Sequence, residues 1–425
     1  MNIEMLPDVA LLRIFDFYVY GKKTQAWQIL VHVCQKWRSV VFGSPRRLNL
    51  RLHCRGLTPV RKMLHVWPPL PIVVVTNNHE MLDEDNIMAA IEHNDRICEL
   101  HLFNIPRSPL ANLLAAMQQP FPALTNLVLG FRSQDEVAPT VPDSFLGGSV
   151  PSLRIVWLDR IPFPGLPKLL LSATHLVNLR LSNIPHSGYF SPEAIVSCLS
   201  TLTMLESLGI EFQSPRCRPD RNDRRLPPRT RSVLPALTEF VFEGVSEYLE
   251  DFVARIDAPQ LYYFHISFFH QLIFDTPQLA QFFSRTPRFN ASAHEARVVF
   301  SNWGVRIGLQ EVVLQISCRQ SDWQLSSLVQ VCSSTVLQPL IPVMERLYIL
   351  ENGSLDWQDD IENSQWLELF HPFTAVKDLY GINDPYCAGP GRACWGKSNR
   401  SVPRPSDAFL GEATLIGYCS SSGNH

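Results

Sequence analysis

The sequence predicts an α/β chain in two parts: a short helical module over residues 1–50, then a long run of repeating strand–turn–helix units. Two observations carry this. Apolar residues near the N-terminus recur at helical spacing. Farther on, a short apolar motif recurs at intervals of 23–32 residues, the signature of a repeat architecture.

Composition allows such a fold. Of 425 residues, 46% are apolar and 18% charged, which suits a large core and argues against disorder over most of the length. The formal net charge is −3, so no basic excess draws the chain to nucleic acid or an anionic membrane. Ten cysteines are scattered without a CxxC pair. That spacing fits neither a disulfide framework nor a zinc site; free thiols in a reducing compartment are expected. The opening MNIEMLPDVALLRIF is interrupted by Glu4, Asp8 and Arg13, unlike a secretory signal. The longest uncharged apolar run, Ala258 to Phe274, has 17 residues and alternates like a strand, too short for a membrane span. A cytoplasmic or nuclear protein without membrane contact is expected.

The helical module comes first. Pro7 suits a helix start, where its missing N–H is not needed. Leu11, Leu12, Ile14 and Phe15 follow. Trp27, Leu30, Val31, Cys34, Trp37 and Val41 then form one apolar stripe on a helix. Thr24 is its candidate N-cap, and Gly43-Ser44-Pro45 stops it.

Residues 51–96 read as a linker and first capping unit. From residue 97 to 380 the pattern apolar-x-x-apolar-x-apolar takes over. Its seven good copies are Ile97/Leu100/Leu102, Leu124/Leu127/Leu129, Leu153/Val156/Leu158, Leu176/Leu179/Leu181, Leu205/Leu208/Ile210, Leu237/Phe240/Phe242 and Leu261/Phe264/Ile266. Each reads as a short strand with its leucine-type residues on the buried face. Helix-like stretches such as Ser108–Gln119 and Pro192–Leu202 return the chain. Three copies run into Ile-Pro (Ile105-Pro106, Ile161-Pro162, Ile184-Pro185), where proline ends the strand. Together these imply an irregular leucine-rich-repeat solenoid. Weaker copies continue at Val312/Leu314/Ile316, Met344/Leu347/Ile349 and Val376/Leu379. Residues 381–425 are rich in Gly, Ser, Pro and Cys without periodicity. They read either as a disordered tail or as the product of a shifted frame or retained intron.

LPDVALLRIF at 6–15 and HVCQKWRSVV at 32–41 carry a family likeness. The first fifty residues resemble the F-box, a three-helix module. The whole of 1–380 looks like the fungal F-box proteins with irregular leucine-rich repeats. In one departure, the aromatic common after the Trp-Arg block is replaced by Leu48 or Leu50. The resemblance implies a Skp-type adaptor as partner, and through it a cullin and a ubiquitin ligase. It places Leu6 and Pro7 at the adaptor interface. Leu11, Leu12, Ile14 and Phe15 would be shared between interface and core, and Val33, Cys34 and Trp37 match the second block. A substrate receptor for an unidentified protein target is the implied function. The competing reading is a repeat scaffold whose N-terminal helices only cap the solenoid.

One further segment stands out. SPRCRPDRNDRRLPPRTRSV at 214–233 holds Arg216, Arg218, Arg221, Arg224, Arg225, Arg229 and Arg231 against two aspartates. It reads as a solvated loop, as a loop that reads a phosphorylated or acidic target, or as a nuclear-import or RNA contact; it lacks the aromatics that stack single-stranded bases. His265 and His270 have no third ligand nearby in sequence. No nucleophile elbow, phosphate loop, HExxH or calcium loop occurs. No enzymatic activity, catalytic residue, cofactor or metal is expected.

Overall fold

Three helices open the chain: α1 (Asp8–Gly21), α2 (Ala26–Val31) and α3 (Gln35–Phe42). They belong to a computed structural model that describes residues 6–383 except 22–25, 44–48, 57–58, 67–68, 77–81, 134–135, 218–229, 270–274, 291–293, 310, 319–320, 335–336, 338–339 and 353–362. Residues 1–384 form one unit and 385–425 a second, which lies outside the described residues. The stripe expected as one helix from residue 27 to 41 is broken after Val31. Cys34 caps the new helix, its Sγ accepting from the Trp37 N–H at 3.4 Å. Thr24, the candidate cap, lies outside the described residues.

The strands and helices then alternate: β1 (Leu50–His53), α4 (Val60–Val66), β2 (Ile72–Val75), α5 (Glu84–Ile91), β3 (Ile97–Ile105), α6 (Arg107–Ala116), β4 (Asn126–Phe131), β5 (Ile155–Asp159), α7 (Leu166–Leu170), β6 (Asn178–Ile184), α8 (Pro192–Leu199) and β7 (Ser207–Phe212). Next come β8 (Ser232–Val233), β9 (Glu239–Gly244), α9 (Ser246–Val253), β10 (Ile256–Asp257), β11 (Tyr263–Phe269) and α10 (Pro277–Arg285). The last stretch holds β12 (Glu295–Ser301), β13 (Gly304–Leu309), β14 (Val312–Ser317), α11 (Ser321–Ser333), β15 (Arg346–Asn352), α12 (Asn363–Phe370) and β16 (Asp378–Asn383). Among the described residues fourteen strands make one open, mostly parallel sheet, running in chain order from β1 to β7, then β9, β11, β14, β13, β12, β15 and β16. β8 and β10 pair separately. Among the described residues the fold is mixed α/β, with no closed barrel.

The parallel run begins at Leu50, not at residue 97. The segment expected as linker and capping unit supplies β1 and β2, and Leu50 sits in a strand where the F-box likeness would place a helix.

The seven apolar motifs build the sheet's buried face. Leu100, Leu127, Val156, Leu179, Leu208, Phe240 and Phe264 lie side by side in register across β3 to β11. A second row runs through Leu102, Leu129, Leu158, Leu181, Ile210, Phe242 and Ile266. No position of the seven motifs is more than 3% exposed. Parallel strands place identical motif positions beside one another, so each copy buries its neighbour and none suffices alone. Toward β9 and β11 phenylalanine replaces leucine, and the Phe240 and Phe264 rings stack at 5.0 Å.

The Ile-Pro steps share one backbone device. Asn104, Arg160 and Asn183, each just before the isoleucine, have φ of 55°, 58° and 52°. This left-handed residue turns the strand so that Ile105, Ile161 and Ile184 are buried again, and the ladder is bulged there in β3 and β6. Proline follows where no ladder donor is needed.

One region departs from the repeat. The chain crosses from β11 to β12, doubles back through β13 and β14, and leaves by α11 to β15, so β12–β13 and β13–β14 pair antiparallel. β14 and β15 carry two of the weaker motif copies; β12 and β13 carry none. Gly304 permits the tight approach of β13 to β14, since a Cβ there would collide with the Ile316 carbonyl. Wholly buried Gln324 on α11 donates to the carbonyls of Ser301 and Cys318 at 2.7 and 2.8 Å, fastening the hairpin to the helix.

Candidate functional site

The three N-terminal helices pack around Leu11, Phe15, Leu30, Val31, Val40 and Val41, all buried. The Phe15 and Trp37 rings meet at 4.7 Å. Pro7 precedes α1, and its carbonyl accepts from the Ala10 and Leu11 N–H groups at 2.9 and 3.0 Å. Lys36 Nζ donates to the Leu6 carbonyl at 2.8 Å, tying α3 to the entrance of α1. Arg38 Nε reaches the Val31 carbonyl at 2.9 Å and closes the α2–α3 corner.

The expected adaptor residues therefore divide. Leu11 and Phe15 lie wholly in the core and offer nothing to a partner. Leu6, Leu12, Cys34 and Trp37 are half-buried, while Pro7, Ile14 and Val33 are exposed. Four further apolar residues of these helices stand on the surface. Val9 is 71% exposed, Phe17 81% and Ile29 52%, and Phe42 is also exposed. On α1, Val9 and Phe17 fall on the side away from Leu11 and Phe15, and Ile14 flanks the core stripe. Together with Ile14 and Val33 the four leave apolar surface uncovered on a small module, the kind of surface that contact sites use. Its only signal in the sequence is that α1 is apolar on more of its circumference than one core stripe requires.

The arginine-rich loop is only framed. Arg216 and Arg231 are exposed, and Arg231 Nε donates to the Ala254 carbonyl at 3.3 Å. Arg218, Arg221, Arg224, Arg225 and Arg229 lie outside the described residues. His265 is half-buried on β11, and burial with the nearby Arg306 charge lowers its pKa; His270 lies outside the described residues. Among the described residues no group of three His, Cys, Asp or Glu could hold a metal ion. No helix among them is long and apolar enough to cross a membrane. The chain matches no protein-family model and no curated protein.

Proposed function

We propose that the chain is the substrate-recognition subunit of a cullin-type ubiquitin ligase. Its F-box-like helices would hold a Skp-type adaptor, and a leucine-rich-repeat solenoid would present the target. Ubiquitin transfer then takes place on another subunit, by proximity. The observation that carries this reading is the exposed apolar surface of Val9, Ile14, Phe17, Ile29 and Val33 on a module whose core is already filled. The in-register apolar rows of β3 to β11 support the solenoid.

The scaffold reading has one observation in its favour. The buried side chains of α1–α3 belong to the same continuous cluster as Leu50 and Leu52 of β1, as a cap's would. Co-elution of purified Skp-type adaptor with the full chain separates the two. Phe17→Glu/Val33→Glu alters only exposed positions and leaves the core intact. Adaptor binding by wild type, lost in this variant, supports the receptor. Absence of binding by folded wild type leaves the cap.

A further inference from the structure

The sheet has a second face, opposite the leucine rows. Along β7, β9 and β11 the buried Ile210, Phe242 and Ile266 alternate with Glu211, Glu243 and Ser267, so these three share the other face. Glu243 stands in register with Glu211 on one side and with Ser267 on the other.

Glu211 is partly answered from β6. Ser182 Oγ donates to its carboxylate at 3.3 Å, and Arg180 Nε lies at the same distance. Arg180 is shared, since its guanidinium also lies over the Trp157 ring at 5.2 Å. Glu243 has no hydrogen bond or ion pair among the described residues. Ser267, only 6% exposed, likewise spends its hydroxyl on no partner among them. The other groups facing Glu243 are Glu239 on its own strand, His265 on β11 and Gln315 on β14. The fixed positive charges on this face are Arg180, at Glu211, and Arg306 on β13, in register with Gln315 and two strands beyond Ser267; neither forms an ion pair with Glu243. Burial raises both carboxyls, and the Glu211 charge helps push Glu243 to about 7.

A half-buried carboxyl pair that shares a single guanidinium gains from a further positive charge. A metal ion lacks a ligand set here, as no qualifying group occurs among the described residues. The surroundings suit an extended chain instead. Trp157 and Phe103 meet edge to face at 5.1 Å across β4, made possible by Gly130, where a Cβ would come within 3.1 Å of the Phe103 ring. Asp159 continues the row onto β5, where it already pairs with Arg160 at 3.0 Å.

We propose that Glu211, Glu243 and Ser267 receive a lysine or arginine side chain from an extended basic segment of the target protein. This rests on the receptor reading and names its target chemistry. An ammonium or guanidinium group between the two carboxylates would donate to both, accept nothing, and leave Ser267 Oγ as a further acceptor.

The test uses the full chain and a fluorescent oligoarginine peptide above pH 7, with oligoglutamate and oligoserine peptides for comparison. Wild type is expected to bind oligoarginine selectively. Glu211→Gln/Glu243→Gln is isosteric and removes a repulsion, so it stays folded by circular dichroism; its affinity should fall at least about tenfold. Glu136→Gln/Glu368→Gln removes the same charge from exposed positions elsewhere and should leave affinity unchanged. No selective binding by wild type, or equal losses in both double variants, would overturn the site. Adaptor co-elution on the same preparations separates the two claims. Adaptor binding without a peptide effect overturns this site alone; a peptide effect without adaptor binding supports the site and overturns the receptor reading.

Discussion

Glu211 and Glu243 occupy one register position on neighbouring parallel strands, β7 and β9, with both side chains on the open face. Burial first, and the Glu211 charge second, hold the Glu243 carboxyl at about 7 instead of 4.5. The folded state therefore binds more protons than the unfolded state between these values, and stability falls as pH rises through that window. The penalty is absent below 4.5 and complete above 7, about 3 kcal/mol at most. Glu243→Gln cannot titrate, so its advantage over wild type should grow across the window and then level off. Urea midpoints measured across it check this; a constant difference would contradict it.

The left-handed residue before Ile-Pro gives a second test. Asn183 combines φ 52° with a hydrogen bond from Nδ2 to Asp159 Oδ1 at 2.7 Å. Asn183→Gly keeps the backbone and loses the bond. Asn183→Ala loses the bond and adds strain, about 1 kcal/mol more. The alanine variant should melt lower than the glycine variant; the reverse order would show that the turn does not depend on this conformation.

The apolar rows should be unforgiving. Leu127→Ala removes a side chain flanked in register by Leu100 and Val156 and should cost about 2–5 kcal/mol. Ile155→Ala on the same sheet alters a position that is 36% exposed and should change stability by under about 1 kcal/mol. Denaturant titration of the two variants measures the contrast.

The antiparallel insertion depends on one polar side chain. Gln324→Leu would strip the Ser301 and Cys318 carbonyls of their donor, a loss of about 1–3 kcal/mol. Amide exchange should quicken first in β12 and β13. Unchanged exchange there would mean the hairpin stands without the tie.

These elements differ in how far the sequence betrays them. The seven repeat strands were legible because Leu-x-x-Leu-x-Leu fixes both the turn into the strand and its buried face. β1 and β2 were not, for Leu50 and Ile72 lack the leading apolar residue three positions earlier. β12 and β13 alternate well, at Ala296/Val298/Phe300 and Val305/Ile307/Leu309. They carry no leader either, and antiparallel reversal is not a repeat property. The break between α2 and α3 was hidden because the apolar stripe keeps its phase across the His32–Cys34 corner. At the candidate site, residue type gave the helices but not the division between core and surface: Leu11 and Phe15 turn inward, while Val9 and Phe17 turn outward. That division depends on how three helices cross.

If the surface of α1–α3 docks the adaptor, binding protects its amides. Hydrogen–deuterium exchange of the full chain with and without purified Skp-type adaptor tests it most directly. Slower exchange confined to residues 8–42, with β3 to β11 unchanged, is the expected result. No change anywhere, or protection on the sheet alone, would contradict it.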